Sequence, residues 1–202
     1  MPETDDKASV GWVCGATFDP LYRDSENFRA RHFLTFDYDH ISPDDVVKIR
    51  EIYGAFAHLI HTTWSHTPDA PRLRVWLPLS SAVGYDQFQA VSRAVAARFD
   101  IEKMARESHV PSQFMYRCAK KPGGDFASWS GPGPWIDVDG VLAEYSDWTD
   151  RASWPRRADG DRHSGELGES PLEKSGVVGA FCRAFSIEEA IERFDLPYDK
   201  VR

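Results

Sequence analysis

Apolar and polar positions alternate and then change period along the first 120 residues, which is enough to lay out a fold. Trp12–Phe18 and Phe28–Phe36 read as two antiparallel strands joined by the polar stretch Asp19–Asn27. A helix follows. Ser42 suits its N-cap, Pro43 its first turn, Asp44 and Asp45 the positive end of its dipole, and Gly54 its stop. Between them Val46, Val47, Ile49 and Tyr53 recur at helical spacing. Phe56–Trp64 reads as a buried strand, Ser65–Pro71 as a turn-rich connection, and Arg72–Leu77 as a strand of alternating polarity. Gly84–Phe99 carries Phe88, Val91, Ala94 and Val95 on one helical face, and Gln113–Arg117 predicts a last short core strand. The expected fold class is therefore α+β: an RRM-like (split βαβ) sheet with an added N-terminal hairpin.

After Lys121 the pattern breaks. Gly, Pro, Ser and Trp dominate 122–135, and a polar stretch runs over 150–171. The expected organisation is a loose arm over 1–10, a core over 11–121, a Gly/Pro/charged loop or linker over 122–172, and a small helical segment over 173–202. Ser186 with Glu189 three positions on is a capping-box pattern for a helix in that last segment.

Composition narrows the class. The chain has 202 residues, 42% hydrophobic and 28% charged, which is globular and sufficient for one good core. No apolar run approaches the ~20 residues that span a bilayer. The acidic start Met1–Asp6 is unlike a signal peptide, so a cytoplasmic protein with no membrane partner is expected. Cys14, Cys118 and Cys182 are far apart and odd in number, which predicts reduced thiols rather than a disulfide framework. A net charge of −8 argues against a nucleic-acid coat protein. The acidic excess, however, sits in the first ~40 residues and the tail; the middle, with Arg72, Arg74, Arg93, Arg98, Arg106, Arg117, Lys120 and Lys121, turns slightly basic.

Candidate chemistry gathers at strand ends. Asp37 and Asp39 share one face of a strand just before Ser42-Pro43 starts a helix. Adjacent carboxylates repel unless a cation lies between them, and hard oxygen donors favour Mg²⁺ or Mn²⁺. The alternative is that one caps the helix and the other is solvated. Asp137-Val138-Asp139 repeats the pattern but follows a Gly-Pro loop, and reads as a turn or cap. The most distinctive segment is His61–Pro78. It places Ser65 and His66 after one strand and same-face Arg72 and Arg74 on the next, where guanidinium groups can clamp phosphate. The alternative is an exposed hairpin face. Tyr116 and Trp129 are candidates for stacking on bases, with core packing favoured for Tyr116. His58 and His61, three apart on a strand, face opposite ways and do not suggest a shared metal, and no His-x-His of a rolling-circle relaxase is present.

Three stretches in order, Phe33-Leu34-Thr35-Phe36-Asp37-Tyr38-Asp39, His61–Leu79 and Phe99-Asp100-Ile101 with Pro111–Tyr116, resemble the archaeo-eukaryotic primase superfamily. More narrowly, they are similar to the primase-polymerase domains of phage and plasmid replication proteins, often joined to a helicase. The resemblance covers about Gly11–Lys121, and Glu173–Ile191 looks like the segment that links primase to helicase in such proteins. No Walker A sequence is present, which suggests a stand-alone or truncated primase half with a helicase partner in trans. The resemblance implies a two-metal nucleotidyltransferase acting on NTP or dNTP and a single-stranded DNA template. In it Asp37, Asp39 and Asp100 are the catalytic and metal-binding residues for Mg²⁺ or Mn²⁺, and Ser65, His66, Arg72 and Arg74 hold the nucleotide. Read alone, Asp100 is a helix-terminal residue. Where the family has a phosphate-contacting histidine after a serine, Ser65-His66 supplies the letters, but Arg72-Leu73-Arg74 opens the following strand. Either His66 reaches the phosphate or an arginine replaces it. The rival function is a non-catalytic RRM-like module for single-stranded nucleic acid, acting as a replication initiator or regulator.

Overall fold

In the computed structural model, residues 1–23, 26–158 and 176–194 are described. The chain divides into two compact units, Met1–Asp161 and Arg162–Arg202.

The first unit is built on a five-stranded sheet in the order β2-β3-β5-β4-β7, with every neighbouring pair antiparallel. Its strands are β2 (Ala16–Phe18), β3 (Phe28–Tyr38), β4 (His58–Thr62), β5 (Leu73–Val83) and β7 (Ser128–Gly131). β3 and β4 both run antiparallel to β5, which lies between them, so β3, helix α1 (Pro43–Tyr53) and β4 make the expected split βαβ unit. The α+β class and the added hairpin strand β2 are as the hydrophobic pattern predicts.

Local chemistry explains α1. The Ser42 hydroxyl accepts the Asp45 N–H (3.2 Å) while the Asp45 carboxylate accepts the Ser42 N–H (2.9 Å), and Gly54 closes the helix on the Arg50 carbonyl. Helix α2 (Tyr85–Ala97) covers the same side of the sheet. Between helices and sheet lie Leu34, Phe36 and Tyr38 from β3, Val75 and Leu77 from β5, Ile60, Ile49, Tyr53, Phe88 and Val91, all fully buried. Burying each such side chain stabilises the fold by roughly 1.5–3 kcal/mol. The Tyr38 and Tyr53 hydroxyls satisfy one another at 2.7 Å, and burial pushes both phenols above their ordinary pKa.

Three expectations are corrected. The strand expected over Gln113–Arg117 does not join the main sheet. It shortens to β6 (Met115–Tyr116) and pairs with β1 (Trp12–Val13) as a separate ribbon. The first ten residues are docked rather than loose: Glu3 pairs with Lys120 (2.7 Å), the Trp64 indole N–H donates to the Thr4 carbonyl (2.8 Å), and Asp6 caps a short turn over Lys7–Val10. The region expected as a linker supplies β7 and α3 (Val138–Leu142), and Val138, Val141, Leu142 and Trp154 enter the core. Val138, Val141, Leu142 and Tyr145 recur at helical spacing there, a signal that the surrounding Gly, Pro and charged residues masked.

In the second unit α4 (Gly176–Ala184) and α5 (Ile187–Arg193) flank Ser186, whose hydroxyl accepts the Glu189 N–H while Glu189 accepts the Ser186 N–H. Phe181, Phe185 and Phe194 stack with centroids 5.2–5.9 Å apart. The expected helical segment over 173–202 is described only from 176 to 194; its two ends, and 159–172 of the expected linker, lie outside the described residues. Among the described residues, no helix is long and apolar enough to cross a membrane.

Candidate nucleotide-phosphate site

The helices cover one face of the sheet; the other is partly covered, with Thr35, His61 and Arg74 buried and Tyr116 of β6 held over Arg74, and is exposed at Phe33 and Leu59. Strand alternation decides who points where: Leu34, Phe36 and Tyr38 face the helices, so Phe33, Thr35 and Asp37 face outward. By the same alternation Val75 and Ile60 send Arg74, Trp76 and His61 outward. The register then aligns Asp37 of β3, Arg74 of β5, His61 of β4 and Ser128 of β7 in one row across four strands.

Arg74 binds Asp37 in a fork, Nε to Oδ1 at 2.6 Å and Nη2 to Oδ2 at 2.9 Å, and its Nη1 donates to the Tyr116 carbonyl at 2.6 Å. One step outward Arg72 Nη1 donates to Asp39 Oδ1 at 2.9 Å. The backbone of Asp37 is strapped on its free side, its N–H to the Ser108 hydroxyl (3.0 Å) and its carbonyl to the Ala105 N–H (2.8 Å). His61 is buried. Its Nδ1–H donates to the Thr62 carbonyl (2.8 Å), which leaves Nε2 to accept the Trp76 indole N–H (3.3 Å). Burial, with Arg74 close by, lowers its pKa and favours the neutral ring.

These groups line a cavity of about 150 Å³ at the strand ends, together with Lys7, Thr63, Ser65 and Arg117. Four cationic side chains (Lys7, Arg72, Arg74, Arg117) face two carboxylates (Asp37, Asp39). The carboxylates neutralise the two arginines, and Lys7 and Arg117 leave the cavity attractive to anions.

The structure brings together Asp37, Asp39, Ser65, Arg72 and Arg74 from the expected set. It does not bring His66 or Asp100 to them. The Nδ1 of His66 accepts the Arg72 backbone N–H at 3.2 Å, burial lowers its pKa, and the side chain does not line the cavity. Asp100 follows α2 and therefore lies on the helix side of the sheet. It accepts the Glu102 N–H at 3.0 Å, capping a short turn, and lines a separate cavity with Asp45, Phe99 and Lys103. Trp129 is also on the helix side, in the row of Ile60, with the Arg50 guanidinium 4.5 Å above its ring. Tyr116 serves the site through its carbonyl, and its ring lies 5.4 Å from the Lys7 ammonium.

Sequence reasoning missed His61, Lys7 and Arg117. For His61 a signal existed: next to buried Ile60 on a strand, it had to face the side opposite the helices. Arg117 was legible only as one of the residues that make the middle of the chain basic, and Lys7 carried no signal, because only the docking of the N-terminal segment beside β6 brings it in.

The carboxylate donors suit Mg²⁺ or Mn²⁺ by type. Yet both Asp37 oxygens and one of Asp39 are engaged by arginine, and the third carboxylate is elsewhere. Among the described residues no group of three or more His, Cys, Asp or Glu is placed to hold a metal ion. As arranged, these residues do not fit a divalent-metal centre.

The fold and site together are a split βαβ sheet whose strand ends gather paired aspartates and arginines. The chain belongs to the VapE N-terminal domain family, whose sequence profile matches residues 2–157. It is also similar to a solved structure of the AEP domain of the cyanophage S-2L primase-polymerase, at 14% identity and a TM-score of 0.45, over 65% of this chain and 68% of that one. No curated protein matches the chain.

Proposed function

We propose that the cavity at the ends of β3 and β5 binds the triphosphate of an NTP or dNTP. In this reading the domain is a DNA primase/polymerase-like nucleotidyltransferase that adds nucleotides to a primer or dinucleotide on single-stranded DNA template, opened by a helicase in trans. The observation that carries the reading is the pair of aspartate–arginine contacts at the mouth of a cation-rich cavity. Phosphate oxygens match the guanidinium fork as carboxylate oxygens do, so an arriving triphosphate takes Arg72 and Arg74 as its partners. Lys7 and Arg117 add to the attraction, and Ser65 and Thr63 offer hydroxyl donors. The exchange releases Asp37 and Asp39 on the same strand face. Mg²⁺ or Mn²⁺ dependence belongs to that rearranged site and not to the site as it stands.

The location of Asp100 favours a second reading, a non-catalytic module that binds nucleotide or single strands and transfers nothing. Primer extension with Mn²⁺ separates the two. Extension by the wild-type protein that is lost in Asp37→Ala with Asp39→Ala supports transfer. Extension unchanged in that variant sinks the role given to the aspartates. Binding of triphosphate with no incorporation by the wild type selects the binding module.

A further inference from the structure

The sheet face away from the helices carries a second feature beside the polar row. One row along, Thr35, Trp76, Leu59 and Ser130 lie abreast across the same four strands, and beyond them Phe33 lies opposite Pro78. Phe33, Leu59, Trp76 and Pro78 floor an open trough of about 440 Å³, and the chain over Val13–Gly15 forms one wall. Phe33 is 41% and Leu59 43% exposed, which is high for large apolar residues in the middle of a sheet. One glycine shapes the trough: a side chain on Gly15 would begin 3.1 Å from Phe33 Cβ. The Trp76 indole, hydrogen-bonded to His61, forms the border between this apolar floor and the Asp37–Arg74–His61 row.

We infer that this trough is the seat for the bases of a single-stranded nucleic acid, whose phosphates run toward the cationic cavity. The inference rests on the phosphate-binding reading of that cavity. A single strand presents flat apolar faces and phosphates side by side, and an aromatic-apolar floor continuous with a cation-rich pocket matches both. A duplex hides its base faces and leaves the floor uncovered. A protein partner would cover the floor but has no use for the adjoining cations.

The test is a fluorescence-anisotropy titration of the full chain with a labelled oligodeoxythymidylate, beside a separate titration with a fluorescent triphosphate. Phe33→Ala with Leu59→Ala is expected to weaken oligonucleotide binding about tenfold or more, while triphosphate affinity stays within about twofold. Phe33→Trp in place of Phe33→Ala is expected to restore binding, and Phe33→Leu, which keeps apolar area without the ring, is not. Matching thermal melts for wild type and variants certify the fold, and the Phe33→Trp variant keeps the comparison valid if the double substitution unfolds. Oligonucleotide affinity unchanged in the double variant, or equal rescue by leucine and tryptophan, overturns the inference. So does self-association on sedimentation that the double variant abolishes while oligonucleotide binding persists, since the trough is then a protein interface. Wild-type protein that binds triphosphate but no oligonucleotide overturns the trough alone; binding of neither overturns the cavity reading as well.

Discussion

The chain contains the same three-residue pattern twice, Asp37-Tyr38-Asp39 and Asp137-Val138-Asp139, and folds them to different ends. In both, the central residue is buried and the flanking aspartates point away from the core. At the first, Asp37 and Tyr38 end a strand of the sheet; β5 presents Arg74 opposite Asp37, and Arg72, just before β5, reaches Asp39. At the second, Ile136 bridges Leu79 and the chain turns at once into α3, with Asp137 at its N-cap and Asp139 in its first turn. Both carboxylates there are exposed, and no arginine or lysine contact to either is found among the described residues. A carboxylate pair therefore acquires chemistry from the neighbouring strand, and a motif without that neighbour ends a loop.

The largest expected effect lies in the Asp37–Arg74 pair, whose side chains are only 19% and 10% exposed. Arg74→Ala leaves a mostly buried carboxylate without its fork and is expected to cost about 3 kcal/mol, read from the urea midpoint. The same change at Arg72, in a pair exposed to 32% and 41%, costs under about 1 kcal/mol. Equal losses at both would erase the distinction between an inner and an outer pair.

Next in size is a charge effect on binding. Asp37→Asn with Asp39→Asn removes the internal competitors for Arg74 and Arg72, so metal-free triphosphate binding is expected to tighten by about tenfold. Isothermal titration in the presence of a chelator measures it. Affinity that stays the same or falls would show that the arginines do not hold phosphate. Asp137→Asn with Asp139→Asn, the matched control, should change neither binding nor the unfolding midpoint beyond about 0.5 kcal/mol.

On the helix side, Asp45 tests the opposite kind of carboxylate. Burial alone would raise its pKa, but hydrogen bonds from Lys103 (2.8 and 2.9 Å) and Ser42 bring it down to about 2. A lowered carboxylate stabilises the fold above its ordinary range, and that contribution disappears as pH falls from about 4 through about 2. Asp45→Asn should flatten this part of the acid unfolding curve; a curve of unchanged shape would rule the pair out as its source.

The smallest effect is expected at Asp100. Asp100→Ala removes a turn cap worth about 0.5–1 kcal/mol and leaves triphosphate affinity unchanged. A loss of affinity at Asp100 would instead return it to the site.

Local rules were enough for much of this. The Ser42-Pro43-Asp45 start of α1, the faces of β3, β4 and β5, the split βαβ order and the common face of Asp37 and Asp39 all follow from capping chemistry and a period of two or 3.6, which act over a few residues. That Arg72 and Arg74 share one face was legible on the same grounds. What tertiary structure alone decided depends on register and on which face α2 covers. Register set Arg74 opposite Asp37 and His61 beside it, turning two separate candidate groups into ion pairs. The position of α2 carried Asp100 to the wrong side of the sheet for the aspartates, although its motif order matched. The docking of residues 1–10 was hidden because that segment has almost no apolar residues, and that of 122–157 because its Gly, Pro and charged residues masked the helical spacing of Val138, Val141, Leu142 and Tyr145; both find their places only against a core that the rest of the chain has built.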